Sequence, residues 1–193
     1  MKQIAFLFAT LMSLSEAVVA ATVSELEGNL WTHSCSVETF HPDGDILGYA
    51  QEWQLQVEGA TYTDIHSSYA EPNCLGDIRL TQKNLYRIEP IGKGSAQIEE
   101  KPLKMSYLET RITPGLNEVA EFLNKDKACD ISDWQAGVER ICHKPIPNLM
   151  AVYALEKFDE GEMLHMAFDE AAVPVLKDSK IYFWRLGALA SPR

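Results

Sequence analysis

The stretch Tyr49-Ala50-Gln51-Glu52-Trp53-Gln54-Leu55-Gln56-Val57 decides the fold. Trp53, Leu55 and Val57 share one face of an extended chain, and Glu52, Gln54 and Gln56 share the other. Alternation with period two marks a strand with one buried face and one wet face. Glu58-Gly59 follows as a tight turn into a second such segment, Thr61–Tyr69.

The pattern recurs on both sides of this pair. Leu30–Phe40, Ile78–Ile88, Ala151–Phe158, Glu162–Phe168 and Ile181–Leu186 read as strands. Ser95–Glu100 and Leu103–Ile112 read as a pair about a break at Lys101-Pro102. His41-Pro42-Asp43-Gly44-Asp45 and Asp159-Glu160-Gly161 carry turn chemistry. One segment changes period. Thr113 reads as an N-cap, Pro114 as the first helical position, and Leu116, Val119, Ala120 and Leu123 as one apolar helical face. The helix is expected to end near Lys125–Lys127, where basic residues suit the C-terminal dipole. The expectation is an all-β antiparallel protein of about eight or nine strands with one α-helix. A sheet of that size hides its edges by closing into an up-and-down barrel.

The chain has 193 residues, of which 46% are hydrophobic, enough for one packed core rather than a disordered chain. Lys and Arg number 17 against 28 Asp and Glu, for a net charge of −11. That balance argues against nucleic acid as a partner and against a polybasic membrane anchor. Met1-Lys2, the apolar run Ile4–Leu14 and the small residues up to Ala20 have the order of a secretory signal peptide. Cleavage near Ala20 leaves 21–193 as a single domain, exported to a periplasm or secreted, with peripheral membrane contact at most. Four cysteines, Cys35, Cys74, Cys129 and Cys142, read as disulfides in such a chain. Three connectivities exist, and neighbours in sequence favour Cys35–Cys74 with Cys129–Cys142.

Motifs of catalysis are missing. The sequence holds no G-x-S-x-G, S-x-x-K, P-loop or G-x-G-x-x-G, and no C-x-x-C or H-E-x-x-H metal pattern. The reading is a non-enzyme with no cofactor and no metal. Tyr62, Asp64 and His66 share a strand face and form one polar patch, with His33 on another strand nearby.

Gly28-Asn29-Leu30-Trp31 followed by Ser34-Cys35 resembles the opening of lipocalin-like barrels. Tyr69-Ala70-Glu71-Pro72-Asn73-Cys74 resembles the tyrosine, acid, proline and cysteine stretch of APCDD1-like domains, themselves lipocalin-like. Met150–Phe158, Met163–Phe168 and Ile181–Arg185 resemble the closing strands of small exported bacterial members. The resemblance implies a lipocalin-like, or calycin, barrel with Trp31 plugging its closed end and a Cys35–Cys74 bridge.

The functional expectation is an exported binding protein that sequesters a small apolar molecule. Trp53, Leu55, Val57, Tyr62, Asp64, His66 and Trp184 are its candidate ligand contacts. A filled barrel that docks on an envelope protein is the second reading. A hydrolase built on Asp64 and His66 is the third.

Overall fold

The computed structural model describes residues 23, 25–37, 47, 50–91, 100–143, 146–159, 161–170 and 181–186. The signal segment 1–20, the turn at 41–45 and the expected strand at 95–99 lie outside these residues. Nine strands are described: β1 (Leu30–Val37), β2 (Ala50–Glu58), β3 (Thr61–Tyr69), β4 (Ile78–Pro90), β5 (Lys101–Pro114), β6 (Arg140–Cys142), β7 (Leu149–Phe158), β8 (Gly161–Asp169) and β9 (Ile181–Leu186). Between β5 and β6 lie helix α1 (Asn117–Lys125) and a short 3-10 turn, Ala128–Asp130.

All the strand pairings are antiparallel. The sheet runs β4-β3-β2-β1-β9-β8-β7-β5, and β4 also pairs with β5, so eight strands form a ring. β6 pairs with β5 at Thr110–Ile112, further along the edge that β7 holds at Lys101–Met105. The seam between β1 and β9 is the shortest pairing, Thr32 with Trp184. The hairpin β2–β3 turns on Gly59-Ala60, and Gly59 takes the left-handed conformation (φ 57°) that a two-residue loop requires.

Alternation points Trp31, Leu55, Val57, Ile88, Leu103, Met105, Tyr153, Leu164, Met166 and Phe183 inward, where they pack as one fully buried cluster. Val23 and Leu26, ahead of β1, join that cluster. Trp31 is 0% exposed, and the Arg185 guanidinium lies 5.4 Å over its ring. This half of the ring is filled. Towards the opposite end the inward side chains of β3, β4 and β5 turn polar at Asp64, His66, Gln82, Asn84 and Thr110, while those of β7, β8 and β9, Leu149, Phe168 and Ile181, stay apolar and half-buried. There α1 sets Val119, Ala120 and Leu123 with Trp134 against Leu80 and Ile112, on the inward face of β4 and β5.

Two sequence expectations are corrected. Lys101-Pro102 is not itself a break: both residues belong to β5, with Pro102 opposite Val152. Proline is tolerated there because its carbonyl still accepts a hydrogen bond from the Ile91 amide (3.0 Å), while it has no donor to satisfy. Thr113 and Pro114 end β5 instead of starting the helix; they pair with Thr81 and Leu80. The N-cap is Leu116, in extended conformation and with no side-chain cap. The close approach of Gly115 to β4, whose Arg79 carbonyl accepts its amide at 2.7 Å, keeps the chain extended through Pro114.

Both disulfides join the pairs favoured by sequence order. Cys35–Cys74 ties β1 to the β3–β4 connection, and Cys129–Cys142 ties the segment after α1 to β6. Such bonds fit folding in an oxidising, exported environment. Among the described residues no helix is long and apolar enough to cross a membrane.

Candidate ligand-binding site

The half of the ring opposite Trp31 holds a polar network centred on Asp64. β3 places Asp64 between Tyr62 and His66 on the inward face, and β2 and β4 supply its neighbours in register. The Trp53 indole N–H donates to Asp64 Oδ1. Asn84 Nδ2 donates to Asp64 Oδ2 at 3.2 Å, and His66 Nε2 lies 3.0 Å from the same oxygen. The chain continues away from the carboxylate. Thr110 Oγ1 donates to Asn84 Oδ1 (2.8 Å), Gln82 Nε2 donates to that oxygen (3.1 Å), and the Tyr107 hydroxyl donates to Thr110 (3.1 Å).

This network has a direction. An ionised carboxylate only accepts, so beside the Asp64 carboxylate His66 Nε2 is a donor. His33 Nδ1 sits 2.9 Å from the Ser34 carbonyl, an obligate acceptor, and so it donates. Each imidazole therefore has one nitrogen committed as a donor. In the neutral ring the other nitrogen, Nδ1 of His66 and Nε2 of His33, carries a lone pair. Among the described residues no hydrogen bond reaches either of these two atoms.

Aromatic rings enclose the network. His66 stacks on Trp53 (centroids 5.1 Å apart, planes at 21°), and His33 lies 6.1 Å from Trp53 and 6.0 Å from Phe183. Phe168 approaches both Trp53 and Tyr62. Tyr107 meets Tyr86 edge to face. Asp64, Asn84 and Thr110 are buried, whereas His33, Trp53, His66, Gln82, Tyr107 and Phe168 are only half-buried. Below them burial raises the Tyr62 and Tyr86 hydroxyls above the usual phenol range, with the Asp64 charge adding to the shift; Tyr86 reaches about 12.

The sequence-derived contacts divide three ways. Trp53, Asp64 and His66 come together at this site. Leu55 and Val57 are 0% exposed and Tyr62 is 2% exposed, inside the packed half, so they present no surface to a ligand. Trp184 faces outward: it is 40% exposed and pairs with Phe158 (5.9 Å) on the outside of the ring. His33 and His66 are not on neighbouring strands; β2 lies between β1 and β3, and the two imidazoles flank Trp53. Sequence reading missed Gln82, Asn84, Tyr107, Thr110 and Phe168. The one signal for Asn84 was a polar side chain in phase with Tyr86 and Ile88.

Among the described residues no group of three or more His, Cys, Asp or Glu is arranged to hold a metal ion. No protein-family model matches the chain, and no curated protein sequence matches it.

Proposed function

We propose that this chain is an exported, non-catalytic binding protein of lipocalin-like type that holds a small molecule in the half of its strand ring opposite Trp31. The observation that carries this reading is the asymmetry of the interior. One half is packed with fully buried apolar side chains, and the other presents half-buried rings around a buried carboxylate network. Pockets that orient small molecules have this composition: apolar and aromatic walls with a few fixed polar groups. The mechanism is reversible sequestration without bond chemistry.

Native mass spectrometry of the full-length product, purified from its own cells without detergent, tests the reading. A reproducible adduct of small-molecule mass, lost on denaturation, supports it. A clean polypeptide mass, with no small molecule from the same cells retained on re-exposure, contradicts it.

One observation favours docking on an envelope protein as a second reading. Leu30, Phe158, Tyr182 and Trp184 are exposed, and the last two alternate outward along β9. In-cell cross-linking from position 184 distinguishes the two readings, since small-molecule sequestration requires no partner there.

A further inference from the structure

The half of the ring opposite Trp31 offers electron-rich groups at its centre. Its aromatic walls present π faces, which carry negative potential. Its central polar group is Asp64, held as an acceptor by the Trp53, Asn84 and His66 donors. Its two half-buried imidazoles each have one nitrogen committed to an acceptor, so in the neutral state each offers a lone pair.

The cations are elsewhere. Lys83, Arg87, Lys104 and Arg111 stand out of phase with the inward residues of β4 and β5. Lys101 and Arg185 lie at the filled end, paired with Glu25 and Glu162. Arg79, next to Leu80, is paired with Glu118 of α1. Arg140 of β6, opposite Ile112, shares the inward face, and it is paired with Asp133. Among the described residues no Lys or Arg of β2, β3 or β4 shares the inward face with Asp64 and His66. A carboxylate ligand would meet a buried carboxylate and aromatic faces, and the nearest inward cation, Arg140, is already paired with Asp133. A ligand bearing an ammonium group would find an anion, π faces and lone pairs to accept its N–H donors. The net charge of −11 adds long-range attraction for a cation.

We propose that the ligand is a cationic amphiphile: a small molecule with an apolar or aromatic body and a protonated amine, whose ammonium is directed at the Asp64–His66 pair and whose body lies against Trp53, Tyr107 and Phe168. This rests on the binding reading above and names its ligand class. It also turns away fatty acids and other anionic lipids.

The test compares three probes of one shape: phenethylamine, phenethyl alcohol and hydrocinnamate. Each is titrated into the full-length protein by calorimetry, at low salt and about one pH unit above the ordinary histidine range. The amine is expected to bind at least about tenfold more tightly than the alcohol, with hydrocinnamate weakest. Gln82→Lys adds a cation on the inward face while keeping a donor towards Asn84 Oδ1. It is expected to abolish the preference for the amine and to improve binding of the anion. Asp64→Asn is expected to weaken the amine about tenfold or more and to leave the alcohol within about twofold.

Equal or tighter binding of the alcohol or the anion to the wild-type chain overturns the assignment while leaving a binding site in place. Amine binding that ignores both substitutions overturns it as well, because the cation is then held elsewhere. If none of the probes binds, the assignment is wrong. The small-molecule adduct in native mass spectra then decides separately whether the ring binds anything.

Discussion

Removing the Asp64 carboxylate probes both the stability of the ring and the construction of the half opposite Trp31. Asp64→Ala strips an acceptor from three donors: Trp53 Nε1, Asn84 Nδ2 and His66 Nε2. Asn84 is 6% exposed, so its amide is left without water and costs about 1–3 kcal/mol. Trp53 and His66 are half-buried, and water recovers part of what they lose. The lost side-chain volume adds a further penalty, for a total of about 4 kcal/mol. For a chain of this size that lowers Tm by roughly 8–16 °C. Asp64→Asn keeps the shape and one acceptor. His66 can exchange tautomers to accept from the new amide, and Asn84 can turn its carbonyl towards it, at the expense of its bonds from Thr110 and Gln82. The cost is about 2 kcal/mol, well below that of the alanine variant. Urea titrations followed by tryptophan fluorescence, read with thermal melts, give both values. If Asp64→Ala costs less than about 1 kcal/mol, or if the asparagine variant is the less stable of the two, the directed network is wrong.

Three further outcomes are expected. The two disulfide loops span 39 and 13 residues, worth about 4 and 3 kcal/mol in loop entropy, so the Cys35/Cys74 double serine variant melts below the Cys129/Cys142 one; the opposite order of Tm values contradicts the entropic basis. Burial raises the hydroxyls of Tyr62, Tyr86 and Tyr153, with a neighbouring carboxylate adding to each shift. The native protein then binds more protons than the unfolded chain above pH 10, so stability present below the free phenol value falls as pH rises through the native values. Chemical denaturation at stepped alkaline pH checks this, and stability that stays flat above pH 10 refutes it. Gly115→Ala sets a Cβ 1.8 Å from the Ile78 carbonyl oxygen and is expected to cost about 3 kcal/mol, whereas Gly137→Ala meets nothing within 4 Å and carries only the strain of its positive φ; equal melting temperatures would refute the close approach.

β4 was legible because its burial is one-sided, with Asn84, Tyr86 and Ile88 buried and Arg87 and Glu89 exposed; β7 lacks that signature, since Ala151, Val152 and Tyr153 are all buried. β3 begins and ends where the alternation of Thr61–Tyr69 begins and ends. The helix was legible from its apolar face but not from its start, since Thr113-Pro114 carries capping chemistry in a chain that is still paired with β4. Asp64 and His66 were readable as partners because residues two apart share a strand face. Thr110 was not. Its inward direction depends on the register shift that leaves Leu108 unpaired between Tyr107 and Glu109, and no local pattern in the sequence marks it. Trp184 was misplaced for a related reason. Tyr182, Phe183 and Trp184 are consecutive aromatics, so alternation alone leaves the phase of β9 open. Packing settles it by burying Phe183 and exposing the other two.

The most direct test of the binding reading is a crystal structure of the full-length product as purified from the cells that make it. The expected result is electron density from a small molecule in the half of the ring opposite Trp31, against Trp53, Tyr107 and Phe168 and within hydrogen-bond reach of His66 or His33. Side chains collapsed across that space, with an ordered partner instead seated on Tyr182 and Trp184 outside the ring, would contradict it.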